Sequence, residues 1–424
     1  MKVVINAGGL GTRISSFAPD VPKPMIKINN KPILEHQIEC LKRQGFDDFI
    51  IITGYLKEQI EEYFSDGTSF GVNISYFKET EPFGTAGALI KLKDVLKEDF
   101  LFIFADIIFD IDFEKFISFH LNKKASISLF VHPNDHPYDS TLIKVDKDSK
   151  IEKVIPKESK RTYYKNLVNA GLHIVSPKVL NFYKPGEKLD FDRDILMDSV
   201  KEGVSFAYVS SEYVKDAGTE QRFKEVKKDI LSGKVKERNY LNKQKAIFID
   251  RDGTINKYKG QLCDADDFEL IEGVAEAVKM INKSKFLAIV ITNQPMIAKG
   301  FCGEKELQNI HDKMETLLGK ENAYLDGIYY CPHHPDSGFE GEIKELKIKC
   351  TCRKPAPGLI LQAAKNFNID LSASYMVGDA DIDVGAGLAA GCKAILVSND
   401  KLKGYEEVPR FKNLKSFVSS LFSN

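Results

Sequence analysis

The chain has 424 residues, of which 43% are hydrophobic and 29% charged. It contains 60 Lys and Arg residues and 61 Asp and Glu residues, which gives a formal net charge of -1. A chain of this length is too long for a single hydrophobic core, so we expect two or three domains in a soluble globular protein. The even charge balance argues against nucleic-acid and membrane-surface partners, and no apolar run approaches the roughly 18 residues of a membrane span.

The first predicted element is the strand "KVVIN", which ends in a glycine-rich turn. The N-terminal segment lacks the long apolar region of a signal peptide, so we expect a cytoplasmic protein. The seven cysteines do not form a dense disulfide framework. Three of them cluster near histidines, which favours metal binding in a reducing compartment.

Periodicity predicts an α/β fold along the whole chain. Short apolar runs such as "DDFIIITGY", "DFLFIFAD", "KAIFID", "FLAIVITN" and "KAILVS" predict buried parallel strands, and amphipathic stretches such as "KPILEHQIECLKRQG" alternate with them. This alternation predicts doubly wound sheets with functional sites at the carboxyl ends of the strands. The polar stretch "SGKVKERNYLNKQK" is typical of a connector between two domains. We place the boundary near residues 238 to 244 and predict two domains, 1–238 and 239–424.

The turn after the first strand is suited to binding phosphate. Its glycines allow close approach of the backbone, whose N–H groups can donate to anionic oxygens, and an arginine adds a positive charge. Lys23 follows between two prolines in "VPKPM". The predicted phosphate-binding residues of this turn are Gly8, Gly9, Gly11, Thr12 and Arg13.

Three later features complete this first candidate site. "FGTAGAL" contains Gly84 and Thr85 in a second turn that opens a helix and could pack against a base. Asp106 ends the strand "FLFIFAD", and "KDAGT" offers Asp216 as a second carboxylate for a metal-bound triphosphate. Asp110 and Asp112 are better explained as capping a turn.

Combined in this order, GGLGTR, PKPM, GTAG, the strand-end Asp106, "VNAGLHI" and Asp216 resemble the sugar-1-phosphate nucleotidyltransferases over about residues 1–232. The segment "RISSFAPDVPKPM" is most similar to the branch that makes GDP-heptose from D-glycero-α-D-manno-heptose 1-phosphate. The resemblance implies a Rossmann-like, GT-A-like domain in which a sugar phosphate attacks the α-phosphorus of GTP.

The resemblance also implies residue roles. Arg13 and Lys23 would hold the triphosphate, and Asp106 and Asp216 would bind Mg²⁺. The residues implied on the sugar phosphate side are Lys157, Asn169 and Gly171. Two departures from the family pattern affect these assignments: Ala105 replaces the usual glycine, and "PKE" replaces Glu-Lys-Pro.

The second candidate site begins at "FIDRDGTIN", where a buried strand ends in Asp250 and Asp252. Two residues apart on an extended chain, the two side chains start on the same face. One carboxylate can attack phosphorus while the other acts as general acid and base. Thr292 ends the strand "VITNQ", and Asp379 ends another in "MVGDADIDVGAG".

These motifs resemble the haloacid dehalogenase phosphatases over about residues 245–424 and imply a second Rossmannoid domain. Asp250 would be the nucleophile and Asp252 the acid and base. Asp250, Asp379 and the Asp252 carbonyl would bind Mg²⁺, with Asp383 supporting them or acting only as a helix cap. The residues implied to contact phosphate are Thr292, Asn293, Lys299, Arg353 and Lys354.

"CPHHPDSGFEGEIKELKIKCTCRKP" contains a compact set of metal-ligating side chains. Three thiolates and one imidazole form a closed tetrahedral zinc site without an open position for catalysis, so the predicted Zn²⁺ is structural. His334 is the alternative imidazole, although the resemblance favours His333. The predicted zinc ligands are Cys331, His333, Cys350 and Cys352.

The zinc array and the "DRDGT" variant are most similar to D-glycero-D-manno-heptose 1,7-bisphosphate 7-phosphatases, with histidinol phosphatases as near relatives. The family's "TNQSGIARG" is "TNQPMIAKG" here, so Lys299 replaces an arginine, and Ala380 replaces the lysine after the metal aspartate. Lysine is a less geometrically fixed phosphate partner than arginine, which affects substrate preference.

Together the two resemblances imply a bifunctional enzyme of GDP-heptose synthesis for surface polysaccharide. Heptose 1,7-bisphosphate would lose its C7 phosphate, and the resulting heptose 1-phosphate would react with GTP. Three alternatives remain: the same reaction types on another sugar or base, such as mannose 1-phosphate; a histidinol-phosphatase-like hydrolase; or one half that only senses a nucleotide sugar. The sequence leaves the oligomeric state open.

Overall fold

The computed structural model describes residues 1–9, 20–398 and 402–423, which form two compact units. The first unit comprises Met1–His132, Thr141–Ile155 and Val168–Asn239. The second comprises Tyr240–Asn424 together with two segments from the first half of the sequence, Pro133–Ser140 and Pro156–Leu167. The chain therefore passes from the first unit into the second at residue 240, and twice before that.

The first unit is built on a mixed sheet. The strands of the unit are β1 (Val3–Ala7), β2 (Lys27–Ile28), β3 (Lys31–Pro32), β4 (Asp48–Thr53), β5 (Asn73–Lys78), β6 (Phe100–Phe104), β7 (Ile107–Asp110), β8 (Ile127–His132), β9 (Leu142–Val145), β10 (Ile151–Ile155), β11 (Val168–Val175), β12 (Ser205–Val209) and β13 (Tyr213–Asp216). The main sheet follows the order β10-β9-β11-β6-β1-β4-β5, with β8 beside β11 and β12 beside β8. Strands β6, β1, β4 and β5 run parallel, and β11 runs antiparallel to β6. A separate ribbon pairs β7 with β13.

Amphipathic helices cover this sheet. They are α1 (Ile33–Arg43), α2 (Lys57–Phe64), α3 (Gly87–Lys91), α4 (Phe113–Lys123), α5 (Met197–Lys201), α6 (Glu220–Leu231) and α7 (Lys234–Glu237), and a π-helical turn spans Phe191–Leu196. Helix α4 begins where the Asp112 side chain accepts a hydrogen bond from the Lys115 backbone N–H at 3.2 Å. Asp112 is thus the cap of a helix, where the sequence predicts the cap of a turn.

The second unit contains a five-stranded parallel sheet in the order β16-β15-β14-β17-β18. Its strands are β14 (Lys245–Ile249), β15 (Phe286–Asn293), β16 (Gly327–Cys331), β17 (Tyr375–Gly378) and β18 (Lys393–Leu396). Its helices are α8 (Val274–Lys283), α9 (Glu304–Lys320), α10 (Gly358–Phe367), α11 (Asp381–Ala390) and α12 (Leu414–Phe422). The prediction of doubly wound α/β architecture is confirmed.

Separate cores lie on the two faces of this sheet. Alternate β14 residues point to opposite faces, so Ile247 and Ile249 pack in one cluster and Ala246 and Phe248 in the other, all fully buried. Because both faces are covered, the strand is apolar from Ala246 to Ile249. Buried strands of this kind hold the polar residues at their carboxyl ends in place.

Among the described residues, no helix combines the length and the apolar composition that crossing a bilayer requires.

Candidate active sites

The residues predicted to take part in phosphoryl transfer in the second unit lie at the carboxyl ends of three adjacent strands. Asp250 follows β14, Thr292 and Asn293 end β15, and Asp379 follows β17. Since β15, β14 and β17 are neighbours and parallel, these ends meet at one edge of the sheet. The structure brings the predicted residues together there.

Lys354 links two of the carboxylates at this edge. Its ammonium donates to Asp250 Oδ1, to Asp383 Oδ1 at 2.6 Å and to the Ile291 carbonyl at 2.9 Å. Burial raises the pKa of Asp250 to about 7, against the opposing charge of Lys354. Burial alone would lower the pKa of Lys354, but the two carboxylates outweigh it and raise that pKa. The cluster therefore pairs Asp250, the predicted nucleophile, with a buried lysine that stays charged.

Asp250, Asp379 and Asp383 each offer an oxygen, and these atoms lie within 4.8 Å of one another. Burial, and then the charge of Asp383, raises the pKa of Asp379 to about 6. Two of the three, Asp250 and Asp383, are buried. Three carboxylates this close repel each other, and an oxygen-ligated cation such as Mg²⁺ relieves that repulsion. The donor set fits Mg²⁺, which would neutralise phosphate charge when bound there.

Gly253 allows the loop after β14 to approach this cluster. Its φ is +90°, and a Cβ at this position would lie 2.7 Å from Asp379 Cγ and 3.0 Å from Asp379 Oδ1. Only glycine combines that backbone conformation with that contact.

Asp383 has two roles in the structure. It is the third residue of helix α11, and its Oδ2 accepts a hydrogen bond from the Ala380 backbone N–H at 3.1 Å. Its Oδ1 accepts from Lys354. It is therefore both a helix cap and a member of the carboxylate cluster.

The Asp252 carboxylate is held by three neighbours. Arg251 Nη2 donates to Asp252 Oδ1 at 3.0 Å and Oδ2 at 2.8 Å. Asn256 Nδ2 donates to Oδ1 at 3.0 Å, and Gln294 Nε2 donates to Oδ2 at 2.8 Å. Sequence reasoning did not identify Arg251, Asn256 or Gln294. Their position beside the motif residues Asp250, Asp252 and Thr292 is the available signal.

The remaining predicted phosphate contacts have defined positions. Asn293 exchanges two hydrogen bonds with the Lys354 backbone, at 3.0 and 3.2 Å, and so fixes the residue that carries the ammonium. Lys299 Nζ lies 4.6 Å from the centre of the Phe339 ring. Arg353 Nη1 donates to the His333 carbonyl at 3.4 Å, while Thr292 Oγ1 accepts from Gln294.

The four predicted zinc ligands form one cluster. The Sγ atoms of Cys331 and Cys352 are 3.0 Å apart, those of Cys350 and Cys352 are 3.3 Å apart, and His333 Nδ1 lies 3.2 Å from Cys352 Sγ. The cysteines are free thiols. Three sulfurs and one nitrogen at these separations fit a tetrahedral metal site with no open corner. His334 lies outside the cluster, and its Nδ1 accepts from the Asp336 backbone.

In the first unit, Asn6 joins the two predicted nucleotide turns at the end of β1. Its Oδ1 accepts from the Gly8 backbone N–H at 3.2 Å, and its Nδ2 donates to the Thr85 carbonyl at 2.9 Å. Gly9 follows in the same turn. Three predicted residues, Gly11, Thr12 and Arg13, lie outside the described residues.

The two predicted metal-binding aspartates of the first unit have cationic partners: Arg222 Nη1 donates to Asp216 Oδ1 at 3.1 Å, and Asp106 pairs with Lys23. Its Nζ donates to Asp106 Oδ2 at 2.5 Å. A Cβ at Gly218 would lie 2.6 Å from Asp216 Oδ1 and 3.2 Å from Lys23 Nζ, so the ammonium neighbours both carboxylates. The Ala217 backbone N–H also donates to the Asp106 carbonyl at 2.9 Å. Asp106, in the turn between β6 and β7, and Asp216, at the end of β13, supply the carboxylate oxygens that Mg²⁺ prefers, and the ion would shield triphosphate charge when bound.

An additional carboxylate, Glu79, lies near the first predicted nucleotide turn, and sequence reasoning missed it. A Cβ at Gly8 would lie 3.2 Å from Glu79 Cδ, which places Glu79 beside the first turn. Burial raises the pKa of Glu79, and its buried Oε1 has no hydrogen-bond partner among the described residues. Its position five residues before the predicted Gly84 was the sequence signal.

The predicted sugar contacts on β11 face an acidic loop. Asn169 Nδ2 donates to Asp192 Oδ1 at 2.8 Å, and the Gly171 backbone N–H donates to Asn169 Oδ1 at 3.1 Å. Burial, and then the neighbouring Asp190, raises the pKa of Asp192 to about 7. The repeated aspartates of "LDFDRD" were the overlooked signal. Lys157 lies instead in a segment of the second unit, with its Nζ 3.4 Å from Asp139 Oδ1.

Comparisons with known proteins agree with two units of different chemistry. Residues 2–233 match the nucleotidyl transferase family, and residues 351–414 match the HAD-hydrolase-like family. A protein assigned as a glucose-1-phosphate thymidylyltransferase, from Bacillus anthracis, superposes with a TM-score of 0.50 at 24% identity, over 54% of this chain and 94% of that protein. That level of identity shows the fold alone.

The relatives with curated names are phosphatases. The D-glycero-beta-D-manno-heptose-1,7-bisphosphate 7-phosphatases of Yersinia pestis and Escherichia coli (strain K12) are 44% and 45% identical to this chain over 145 residues. Each match covers 34% of this chain, and 75% and 74% of the respective relative.

Proposed function

This chain belongs to the nucleotidyl transferase family over residues 2–233 and also to the D-glycero-beta-D-manno-heptose-1,7-bisphosphate 7-phosphatases, so it is an enzyme of two reaction types, and we propose that it makes GDP-D-glycero-α-D-manno-heptose. The proposed phosphatase, residues 239–424, removes the C7 phosphate of heptose 1,7-bisphosphate. The proposed transferase, residues 1–238, joins the resulting heptose 1-phosphate to GMP from GTP.

The observation that carries this proposal is the presence of two carboxylate sets on one chain, each at strand ends of its own unit. Asp250 with Asp379 is suited to phosphate removal, and Asp106 with Asp216 is suited to a nucleoside triphosphate. Removing the C7 phosphate from heptose 1,7-bisphosphate yields a sugar 1-phosphate, which is the acceptor class of the other family. The two activities are therefore consecutive.

In the proposed phosphatase step, Asp250 attacks the C7 phosphorus and the sugar oxygen leaves with a proton from Asp252. Water then attacks the aspartyl phosphate and gives a proton to Asp252, which releases inorganic phosphate and restores Asp250. Lys354 holds Asp250 by a charge-assisted hydrogen bond in a buried site, where that interaction is strong. The metal would supply charge neutralisation to this step.

In the proposed transferase step, the sugar phosphate oxygen attacks the α-phosphorus of GTP and pyrophosphate leaves. Lys23 and Arg13 would neutralise the triphosphate, a chemistry that depends mainly on alignment and charge. Asn169 and Gly171 would contact the sugar, and the loop containing Asp192 would accept hydrogen bonds from its hydroxyls.

Glu79 supports guanine as the base. A carboxylate can accept hydrogen bonds from the N1–H and the 2-amino group of guanine together. Adenine and uracil do not present two adjacent donors of this kind. Since Glu79 Oε1 is buried without a described partner, a base that supplies donors would satisfy it.

The proposed metals follow from the donor sets. We assign Mg²⁺ to both carboxylate sites and a structural Zn²⁺ to the cluster of Cys331, His333, Cys350 and Cys352. Zinc would hold the loop that ends in Arg353 and Lys354, and thereby position the ammonium beside Asp250.

The test is a coupled assay with the α and β anomers of heptose 1,7-bisphosphate, a panel of nucleoside triphosphates and Mg²⁺. We expect phosphate, pyrophosphate and GDP-heptose from the α anomer with GTP. The name of the curated relatives specifies the β anomer, so activity on the α anomer would distinguish this chain from the activity in that name. Phosphate release without any nucleotide sugar would refute the coupled function.

Separate active-site variants test whether both halves catalyse. Asp106→Asn should abolish nucleotidyl transfer and leave phosphate release unchanged, and Asp250→Asn should do the reverse. Because each substitution removes one negative charge and keeps the side-chain volume, the fold should survive. Persistent transfer in Asp106→Asn would contradict the metal assignment, and a half that is inactive in the wild type would indicate a nucleotide-sugar sensor.

A further inference from the structure

Two segments from the first half of the sequence are built into the phosphatase unit. Pro133–Ser140 follows β8, and Pro156–Leu167 connects β10 to β11. Both belong to the second compact unit together with Tyr240–Asn424. A heptose bisphosphate phosphatase that began at residue 240 would lack them.

The two segments are joined to each other by buried polar contacts. Asn166, 1% exposed, accepts from the Asn134 backbone N–H at 3.2 Å and donates to the Asn134 carbonyl at 2.7 Å. Arg161 donates to the carbonyls of Pro137 and Ser140 at 2.9 and 2.7 Å. The paired segments therefore have a defined structure, because separating them would leave buried polar groups unsatisfied.

The paired segments pack on the C-terminal half of helix α9. Thr316 Oγ1, on a residue 2% exposed, accepts from the Tyr164 backbone N–H at 2.9 Å. Gly319 faces Pro137 so closely that a Cβ there would lie 2.6 Å from Pro137 Cγ. Just beyond the helix, Asn322 Nδ2 donates to the Asp135 carbonyl at 2.9 Å. These contacts fix the position of α9.

The same helix carries a direct link to the general acid and base. His311, buried on α9, lies with its Nε2 3.3 Å from Arg251 Nη1. Burial, and then the charge of Arg251, lowers the pKa of His311 well below its usual value, so the ring is neutral and can accept from the guanidinium. Arg251 in turn donates hydrogen bonds to both carboxylate oxygens of Asp252. Arg251 is 1% exposed, so it has little freedom to adjust if His311 moves.

We propose that Pro133–Ser140 and Pro156–Leu167 are positioning elements of the phosphatase, which hold α9 where His311 and Arg251 keep Asp252 aligned with the leaving group. The inference rests on the phosphatase half of the proposed function. The phosphatase is then active only within the longer chain, because two of its parts are encoded in the first half.

The test uses the full-length chain with substitutions on α9. Gly319→Val forces the helix away from Pro137, and Thr316→Val removes the hydroxyl that accepts from Tyr164, while Thr316→Ser keeps it. Lys320→Ala, at the exposed next position of the same helix, is the matched control. The substrate is p-nitrophenyl phosphate, whose good leaving group needs no proton, and the aspartyl phosphate is trapped by acid quench.

We expect kcat to fall about tenfold or more in Gly319→Val and Thr316→Val, since a displacement approaching 1 Å can reduce rate by about 10²-fold. KM should stay close to the wild-type value. Aspartyl phosphate should accumulate, because its hydrolysis needs Asp252 as base while its formation does not. Thr316→Ser and Lys320→Ala should resemble the wild type.

Wild-type kcat in both valine variants would overturn the inference. So would a fall in kcat without accumulation of aspartyl phosphate, or a valine variant that loses nucleotidyl transfer in the same proportion. A wild-type chain without phosphatase activity would instead refute the proposed function, so the two failures are distinguishable.

Discussion

Replacing Gly253 with alanine should inactivate the phosphatase by displacing Asp379. The backbone of Gly253 has φ of +90°, and the added Cβ would lie 2.7 Å from Asp379 Cγ and still closer to Asp379 Oδ2. Ordinary contacts of a Cβ begin near 3.4 Å, so the carboxylate or the loop must move by more than half an ångström. Asp379 can move only within a packed cluster that includes Asp250 and Asp383.

Two effects contribute to the expected loss. The left-handed backbone conformation costs alanine about 1–2 kcal/mol of stability. Displacing a metal-binding carboxylate by nearly 1 Å should reduce kcat/KM by about 10²-fold, since misplacement on that scale has effects of this size. Gly260→Ala separates the two, because Gly260 also has positive φ, at +69°, but a Cβ there meets nothing within 4 Å.

The assay is phosphate release over a Mg²⁺ titration, with nucleotidyl transfer and thermal melting measured on the same samples. Gly253→Ala should need more Mg²⁺ and turn over more slowly, while Gly260→Ala should show only the modest loss of stability. Near-wild-type kcat/KM in Gly253→Ala would refute the reasoning, and an equal loss in Gly260→Ala would assign it to backbone strain.

Three further predictions concern Cys350, Glu79 and Glu315. Cys350→Ser should lower bound zinc and phosphatase activity together, measured by metal analysis and phosphate release, whereas Cys263→Ser, outside the cluster, should leave zinc content unchanged. Glu79→Gln should weaken the preference for GTP over other triphosphates in the transfer assay, since an amide presents only one acceptor to guanine; unchanged selectivity would contradict the base assignment. Burial raises the pKa of Glu315 from 4.5 to about 8. The folded state therefore retains a proton that the unfolded state releases, and wild-type stability should fall between pH 4.5 and 8 by at most about 1.4 kcal/mol per pH unit. Glu315→Gln should flatten that slope in denaturant unfolding, and an unchanged slope would count against a buried Glu315.

Much of the fold could be predicted because its signals are local in sequence. The runs around β1, β14 and β15 are apolar enough to predict buried parallel strands, and the structure has a strand at each. Polar residues directly after such strands must meet at one edge of a parallel sheet, which is why Asp250, Thr292 and Asp379 could be grouped before their geometry was known.

Other features depend on contacts between distant residues and have no local pattern. Arg251 lies inside a motif, yet nothing near it in sequence shows that its charge is buried against Gln294 and His311. Asp383 was interpreted as either a metal-site residue or a helix cap, and it contacts Lys354 while capping α11. One carboxylate has two oxygens, so Asp383 caps the helix and belongs to the carboxylate cluster at once, while its role at a metal stays a prediction.

The sequence by itself determined that this chain carries two phosphoryl-transfer chemistries and a cluster of three cysteines and one histidine, because the residues at strand ends and the spacing of such side chains are encoded locally. Only the tertiary structure decided that Pro133–Ser140 and Pro156–Leu167 fold with the phosphatase, and that Lys157 lies among them. The compact unit to which a loop belongs depends on the surface against which its side chains and backbone groups are buried. For these two loops that surface is helix α9, which lies more than 130 residues later in the chain.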